Sequence, residues 1–298
     1  MELYTTKNGA GKALDTPKTE EKDFIQHPVA FDWLLKNERQ EKPRTIGLTE
    51  VRAAYYSNFG LSYFKDMLEM TGNYIDSIKF AGGCFTLMNP KKIKEMTALA
   101  HQYGVMVSTG GFMEYVLTTG KENVKKYIQE VKELGFDIIE VSTGFISIPT
   151  DDWLRVIEEV QKAGLKAKPE IGVQFGAGGD GTAAEYEAEG IQDVGYAINQ
   201  AQRFLDAGAY IIMMESEGVT ENANPWKVDV PARFIRDLGL ENVMFEAADP
   251  QVFKWYIKNY GPEVNLFVDH SQLVQLETTR RGIWGTNDIW GRIVTYKG

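Results

Sequence analysis

The stretch DDWLRVIEEVQKAGLKAKPEIGV, residues 151–173, joins two segments with different hydrophobic periods. Over residues 151–164 the apolar positions recur with helical spacing, and a glycine ends the segment, as is typical of a helix C-terminus. Residues 165–173 then alternate between charged and apolar side chains, which is the pattern of a β-strand. The stretch therefore predicts a helix that leads through a glycine into a strand, the repeating unit of an α/β fold.

The same unit recurs along most of the chain. Helical patterns over residues 89–104 and 121–135 also end at a glycine directly before a strand-like run. The runs with the length and composition of strands are residues 44–51, 74–82, 105–111, 136–142, 165–173, 209–216, 242–248 and 263–269. Eight strands that alternate with helices over about 250 residues predict a (β/α)8 TIM barrel. The rival is a doubly wound open sheet, which usually has fewer strands, and no GxGxxG motif follows the first strand here.

The N-terminal part has a different composition. Residues 1–25 are polar and aperiodic, which predicts a loose arm. FDWLLKNERQ, residues 31–40, predicts a short helix that caps one end of the barrel. We therefore divide the chain into residues 1–42, an N-terminal arm with a short capping helix, and residues 43–298, the barrel domain.

Charge and composition argue against several classes of partner. The 298 residues carry a formal net charge of −10 at pH 7, whereas nucleic acid and anionic membranes require a basic face. No apolar run approaches the roughly 18 residues that span a bilayer, and the N-terminus lacks the apolar core of a signal peptide. The one cysteine, Cys84, excludes an intrachain disulfide. We expect a cytoplasmic protein with neither a nucleic-acid nor a membrane partner.

Four strand-like runs contain a glutamate at or near their ends: Glu140, Glu170, Glu215 and Glu246. Function in a TIM barrel collects at the carboxyl ends of the strands, and alternation directs the charged face of each strand towards the barrel axis. Converging carboxylates raise each other's pKa unless a cation lies among them. Because oxygen ligands suit Mg²⁺, we expect all four to bind Mg²⁺. The alternative is that each glutamate pairs with a lysine or arginine across the barrel.

Other residues near the strand ends are candidates for catalysis and substrate binding. Lys79, His270 and Glu170 are the candidates for proton transfer; for His270, just past the last strand, the alternative is a hydrogen bond at a helix start. The substrate-binding candidates are Ser142, Lys168, Asp269, Arg280 and Arg281. The two arginines either bind an anion or interact favourably with the dipole at the C-terminus of the last helix. FGAGGDGT, residues 175–182, is either a phosphate cradle or a flexible loop.

Several stretches together resemble the phosphosulfolactate synthase family, the barrel enzymes of coenzyme M biosynthesis. They are YIDSIKFAGG (74–83), VSTGGFMEYV (107–116), LGFDIIEVSTG (134–144), ENVMFEAADP (241–250) and VNLFVDHSQLVQLETTRRG (264–282). The resemblance covers roughly residues 43–292. It implies a (β/α)8 barrel, a Mg²⁺-dependent addition of sulfite to phosphoenolpyruvate, and a homo-oligomer. EKPRTIGLTEVR (41–52), AAYYS (53–57), GLKAKPEIGV (164–173) and GPEVNLFVDHSQ (261–272) resemble the plant heat-stress-associated branch more closely than the archaeal synthases.

The chain departs from the family pattern where the family carries cations. The synthases have Asp-Lys-Gly at the end of strand one and Glu-Val-Gly-Lys-Lys on strand five, with one lysine thought to serve as the acid. This chain has Thr49-Glu50-Val51 and Glu170-Ile171-Gly172-Val173-Gln174. After strand six, Glu215 lacks the family's following arginine, and the C-terminal Arg-Gly-Asp-Thr is replaced by residues 284–287, WGTN. Each charge-assisted bond to phosphate contributes about 1.5–3 kcal/mol, so these losses weaken a dianion site.

Three functions remain open. The leading hypothesis is a Mg²⁺-dependent lyase-type enzyme that adds to or eliminates from a small anionic carboxylate substrate through an enolate-like intermediate. The second is a true phosphosulfolactate synthase in which other basic residues replace the lost ones. The third is a non-catalytic, stress-related protein on a retired enzyme scaffold.

Overall fold

The structure, a computed structural model, describes residues 24–53, 60–142, 144–179, 181–247, 249–285 and 287–296. Within these ranges, eight parallel strands pair in chain order, and the last pairs with the first to close a barrel. The strands are β1 (Thr49–Arg52), β2 (Ser77–Phe80), β3 (Met106–Thr109), β4 (Ile138–Ser142), β5 (Lys166–Ile171), β6 (Ile212–Met214), β7 (Val243–Glu246) and β8 (Asn265–Asp269). The predicted (β/α)8 barrel is confirmed: β2 to β8 lie inside the runs that predict them, and β1 extends one residue beyond its run, to Arg52.

Helices follow the strands and pack around the barrel. In the described ranges they are α1 (Leu61–Thr71), α2 (Pro90–Gln102), α3 (Met113–Thr118), α4 (Lys121–Glu133), α5 (Thr150–Lys162), α6 (Ala183–Glu189), α7 (Val194–Asp206), α8 (Asp229–Leu238), α9 (Pro250–Tyr260) and α10 (Leu273–Arg280). Gly104, Gly135 and Gly164 follow α2, α4 and α5 with φ of 62°, 88° and 80°. Only glycine adopts this left-handed conformation without strain, so these residues end the helices as predicted.

Alternation along the strands separates two layers of side chains. Facing outwards, residues such as Ala167 and Ile171 of β5 join the apolar core between barrel and helices. Inside the barrel a smaller apolar cluster consists of Leu48, Ile211, Met213, Met244 and Phe267. Leu48 and Ile211 precede the first residues of β1 and β6, so the cluster begins at the amino-terminal end of the barrel. Three of the inward-facing glutamates, Glu140, Glu170 and Glu246, lie towards the carboxyl ends of β4, β5 and β7.

The helix predicted over residues 31–40 is not formed. Residues 30–34 form a turn, and residues 35–41 have no regular secondary structure. The Asn37 amide donates to the carbonyls of Ile293 (2.7 Å) and Arg280 (3.0 Å), and Arg39 pairs with Glu277. These bonds to the body of the barrel hold the segment in an irregular conformation, so tertiary contacts override its helical pattern.

Most of the predicted arm lies outside the described residues, because the structure describes the chain from residue 24 onwards. The division of the chain at residue 42 stays a prediction. None of the described helices has the length and apolar character needed to cross a membrane.

Candidate active site

The carboxyl ends of the strands open into a cavity of about 550 Å³. Its lining includes six of the site residues predicted from the sequence: Lys79, Glu140, Ser142, Glu170, Glu215 and Glu246. They come from β2, β4, β5 and β7 and from the residue that follows β6. They meet because alternation turns every second side chain of each strand towards the barrel axis.

Three of these glutamates form what we call the acidic group. Among the described residues, Glu170, Glu215 and Glu246 each offer one carboxylate oxygen, and the three atoms lie within 4.8 Å of one another. Burial, reinforced by the carboxylate of Glu140, raises the pKa of Glu170 to about 8. Burial, together with Glu246 and Glu170, raises the pKa of Glu215 well above its usual range. A cation relieves such crowding, so this all-oxygen set fits a hard divalent metal ion.

Glu140, the fourth predicted ligand, does not join the acidic group. Its Oε2 lies 2.9 Å from Nζ of Lys79 and 3.1 Å from Nζ of Lys168. Burial acts to raise the pKa of Glu140, but the two ammonium groups outweigh burial and lower it. The lysines already compensate its charge, so we remove Glu140 from the predicted metal ligands.

Lys168, predicted to bind substrate, does not line the cavity. It is fully buried inside the barrel, where its ammonium group contacts both Glu140 and Glu50. The second oxygen of Glu50 accepts a hydrogen bond of 2.7 Å from Ser77. Lys168 precedes Glu170 by two residues on β5, so it lies one layer deeper than the acidic group. The prediction is corrected: Lys168 is a counter-ion beneath the cavity floor.

Lys79 connects this deeper layer to the acidic group. Its Nζ lies 2.9 Å from Glu140 and 3.3 Å from Oε2 of Glu170, and 4.4 Å from the centre of the Phe267 ring. Burial acts to lower the pKa of Lys79, but the surrounding glutamates raise it well above its usual range. Ser142 donates a hydrogen bond of 2.8 Å to the other oxygen of Glu170. Lys79 and Ser142 thus hold Glu170 from two sides.

Arg52, at the end of β1, also lines the cavity and is not among the site residues predicted from the sequence. It shares the axis-facing side of β1 with Glu50, and this alternation is the signal that identifies it. Its Nε lies 3.6 Å from Oδ2 of Asp269 on the neighbouring strand. Arg52 thus places a guanidinium group in a cavity whose described lining is otherwise rich in glutamates.

Asp269 and His270 lie at the same end of the barrel but, in the part of the chain that the structure describes, they are not among the lining residues. Asp269 caps the short 3-10 helix His270–Gln272 by accepting from the Ser271 backbone at 2.9 Å. The Nδ1 of His270 lies 3.1 Å from the carbonyl oxygen of Arg52. This placement favours the structural alternative for His270, at the start of a helix.

Arg280 and Arg281, predicted to bind substrate, lie at the opposite end of the barrel. Arg280 is fully buried and donates to the carbonyls of Pro262 (2.7 Å) and Gly47 (3.3 Å), before the first residues of β8 and β1. Arg281 donates to Glu277 at 2.8 Å and to the carbonyl of Asn37. The prediction is corrected: α10 returns the chain to the amino-terminal end of the barrel, so its last residues cannot reach a ligand in the cavity.

Hydrogen bonds connect the loops on one side of the cavity. Glu114 of α3 accepts from the backbone N–H groups of Gly144 (2.6 Å) and Phe145 (2.9 Å). The carbonyl of Gly144 accepts in turn from the N–H of Gly176 at 2.7 Å. The segments that follow β3, β4 and β5 are therefore joined to one another.

The glycine-rich segment of residues 175–182 continues these connections to the loop after β6. The N–H of Gly178 donates to Oε2 of Glu217 at 2.8 Å, and the hydroxyl of Tyr186 donates to the same oxygen. Two backbone N–H groups of this segment, those of Gly176 and Gly178, thus bind protein acceptors. This favours the loop over the phosphate cradle, although Asp180 lies outside the described residues.

Comparisons with known proteins agree with this architecture. The sequence model of the family described as "(2R)-phospho-3-sulfolactate synthase (ComA)" matches residues 37–286. The chain is 38% identical over 253 residues to "Protein HEAT-STRESS-ASSOCIATED 32" of Arabidopsis thaliana, covering 82% of this chain and 88% of that one. It is 26% identical over 271 residues to the phosphosulfolactate synthase of Methanothermobacter thermautotrophicus, covering 89% of this chain and 98% of that one.

Among solved structures, the carboxyl transferase domain of Rhizobium etli pyruvate carboxylase is similar with a TM-score of 0.52 and 12% identity. The match covers 76% of this chain and 40% of that one. At this identity the likeness shows the fold alone. The two sequence relatives are more similar to this chain in sequence than the solved structure is. The greater identity to the plant protein agrees with the resemblance of individual segments.

Proposed function

The chain belongs to the (2R)-phospho-3-sulfolactate synthase (ComA) family, and from that premise we propose that it is an enzyme that depends on a divalent metal, most simply Mg²⁺. Its substrate is a small carboxylate, and the reaction is a lyase-type addition or elimination next to that carboxylate, through an enolate-like intermediate. The observation that carries the proposal is the acidic group, Glu170, Glu215 and Glu246, whose oxygens approach within 4.8 Å inside a cavity at the strand ends.

The electrostatics of the acidic group support a cation. Glu215 is buried and Glu170 and Glu246 are partly buried, so three carboxylates this close together are costly without a cation. The raised pKa values of Glu170 and Glu215 agree with this. Oxygen ligands without cysteine or histidine favour Mg²⁺ over softer metals. When bound, such an ion supplies positive charge that stabilises negative charge developing on a carboxylate substrate.

We assign to Lys79 the stabilisation of the negative charge that develops on the substrate. Its raised pKa keeps it an ammonium ion near neutral pH, and its Nζ lies 3.3 Å from Glu170 at the floor of the cavity. There it can donate a charged hydrogen bond to a substrate oxygen and serve as the proton donor to the enolate-like carbon. We no longer assign this role to His270, which lies outside the described lining of the cavity.

Arg52 is the residue that we assign to the substrate carboxylate. A guanidinium group binds a carboxylate through two parallel hydrogen bonds, which fixes its orientation. Arg52 and Lys79 are the cations among the described residues that line the cavity. Phosphoenolpyruvate and sulfite together bring more negative charge than two cations balance, so the family's own reaction is the weaker candidate. A homo-oligomer stays a prediction from family membership.

Proton exchange tests the proposal without knowledge of the reaction partner. Pyruvate is incubated with the protein and Mg²⁺ in D₂O, and loss of the methyl proton signal by NMR reports reversible formation of an enolate. We expect exchange that chelator abolishes and that Glu246→Gln reduces at least tenfold. Glu189→Gln, a substitution of the same kind at an exposed position of α6, is the matched control and should leave exchange unchanged.

Exchange that is absent, or that persists unaltered in chelator, contradicts the proposal. A parallel incubation with phosphoenolpyruvate, sulfite and Mg²⁺ separates the remaining candidates. A sulfonated product would show that the family's own reaction survives the loss of its cations. Inactivity in both incubations would favour the non-catalytic protein.

A further inference from the structure

The cavity has two chemically different sides. Its floor carries the acidic group and Lys79, whereas residues of the segments that follow β3 and β4 form an apolar side. This side, which we call the aromatic wall, consists of Phe112, Tyr115, Phe145 and Ile146. A three-carbon acid gripped at the floor would occupy a fraction of the roughly 550 Å³ available. The remaining space is bounded by the wall.

Phe112, in the first part of the wall, packs against aromatic residues of the protein core. Phe112 lies 5.9 Å from the ring of Phe85, which is buried, and 6.0 Å from that of Tyr127. The centre of the Tyr115 ring lies 5.3 Å from that of Phe112, and Tyr115 is 62% exposed. A β-carbon on Gly83 would lie 2.6 Å from the Phe112 ring, so a glycine makes the room that this ring occupies. These contacts hold the two rings in place, and both residues line the cavity.

Phe145 is held although half of it is exposed. Glu114 accepts from the backbone N–H of Phe145 at 2.9 Å, and Glu114 is itself buried. The Phe145 ring packs on the backbone of the glycine-rich segment, since a β-carbon on Gly179 would lie 2.9 Å from it. A phenylalanine that is 52% exposed yet fixed at both its backbone and its ring leaves apolar surface in water at a defined place. Such preorganised apolar surface is typical of a ligand site.

We propose that the substrate carries an apolar group about the size of a phenyl ring, which binds against the aromatic wall while its carboxylate binds at the floor. This inference rests on the proposed function for the carboxylate end and adds the chemical class of the other end. The wall then determines specificity: it selects among carboxylic acids by the size and apolarity of the group attached to them, because burial of that group between aromatic rings removes apolar surface from water.

Binding of two 2-oxo acids tests the inference. Pyruvate and phenylpyruvate share the carboxylate and the ketone and differ by a phenyl ring. Isothermal titration of the full-length protein with each acid, with Mg²⁺ and with chelator, gives four dissociation constants. We expect phenylpyruvate to bind at least about tenfold more tightly than pyruvate. Phe145→Ala should weaken the binding of phenylpyruvate and so remove most of this preference.

Phe175→Ala is the matched control, because Phe175 is a similarly exposed phenylalanine (48%) on the adjacent loop that is not among the lining residues described. It should keep the full preference. Equal binding of the two acids, or a preference that Phe145→Ala leaves intact, overturns the inference while leaving the proposed function standing. If the preference disappears in Phe145→Ala but the dissociation constants are the same with Mg²⁺ and with chelator, the result supports the inference and contradicts the role of the metal in binding. Binding of neither acid overturns both.

Discussion

Nζ of Lys168 lies 3.1 Å from Oε2 of Glu140 in the barrel interior, where both side chains are almost completely removed from solvent. With Glu50 and Lys79 they form a layer in which positive and negative groups alternate. One layer closer to the cavity, Glu170, Glu215 and Glu246 bring carboxylates together. The barrel therefore separates a balanced ionic layer, which holds the structure together, from an unbalanced one that is suited to a ligand.

Loss of the balanced layer should destabilise the protein strongly. Lys168→Met removes a cation that faces two buried carboxylates, and breaking a buried ion pair from one side costs about 3–5 kcal/mol. We expect this decrease in the free energy of unfolding, measured by urea denaturation. Lys166→Met, two residues earlier on the same strand, is the control; its side chain is exposed and lies over the Tyr210 ring, so its loss should cost about 0.5–1 kcal/mol. Equal losses of stability in the two variants would contradict a stabilising role of the ionic layer.

Substitution in the acidic group should act in opposite directions with and without metal. In chelator, Glu215→Gln removes one of three crowded carboxylates and should leave the melting temperature unchanged or raise it. With Mg²⁺, the wild-type protein gains stability in proportion to RT ln(1 + [Mg²⁺]/Kd), and the variant should lose most of that gain. Thermal unfolding over a series of Mg²⁺ concentrations measures both effects. A variant with a normal Mg²⁺-dependent increase would show that Glu215 is not a ligand.

The stability of the metal-free protein should fall as pH rises. Burial raises the pKa of Glu170 to about 8 from the ordinary value of 4.5. The folded state thus binds more protons than the unfolded state between these values. The contribution of Glu170 is complete below pH 4.5 and declines, by up to about 1.4 kcal/mol per pH unit, until pH passes 8. Thermal unfolding in chelator from pH 5 to 9 checks this, and Glu170→Gln should flatten the decline. A stability that rises over this range would contradict the assignment.

Removal of Arg280 should affect folding and leave ligand binding intact. Its guanidinium group satisfies carbonyls at the amino-terminal end of the barrel, so Arg280→Met leaves buried acceptors unpaired at a cost of about 2–4 kcal/mol. The affinity for Mg²⁺, measured by titration at a temperature where the variant is folded, should match that of the wild type. A specific loss of affinity for Mg²⁺ or for a carboxylic acid, without loss of stability, would return Arg280 to the binding site.

Glu114 should control the order of the loop after β4. Glu114→Ala removes the acceptor of the Gly144 and Phe145 N–H groups. We expect hydrogen exchange at these two amides to accelerate at least about tenfold, because the loop then opens without breaking them. Exchange in the distant strand β8 is the internal reference. Unchanged exchange at Phe145 would show that the ring's packing on the glycine-rich segment holds the loop by itself.

The sequence determined which side chains face the barrel axis but not how deep they lie. Alternation in KAKPEIG placed Lys168 and Glu170 on one face, and the structure agrees. Depth depends on the stagger between strands: Glu140 lies opposite Lys168, whereas Ser142 lies opposite Glu170. A two-residue step therefore moves a carboxylate from the ionic layer to the acidic group. Pattern within a single strand contains no information on this offset.

The errors at the chain ends have a different cause. Asn37 and Arg39 bind the barrel's amino-terminal end, so the helical pattern of residues 31–40 was overruled by contacts with residues far along the chain. The position of Arg280 follows from the direction of α10, which a local pattern also cannot supply. Arg52, by contrast, was within reach of the alternation argument, because it follows Glu50 by two residues on β1.

The hydrogen bonds that run from Glu114 through Gly144 and Gly176 to Gly178 and Glu217 bear on how this barrel could diversify. Redesign of TIM barrels commonly treats each loop as an independent cassette. Here four consecutive connections share a backbone network, so exchanging one for a homologous insert would orphan its neighbours' donors and acceptors. We therefore expect these four loops to change together in evolution, and a design that transplants them should transfer all four at once.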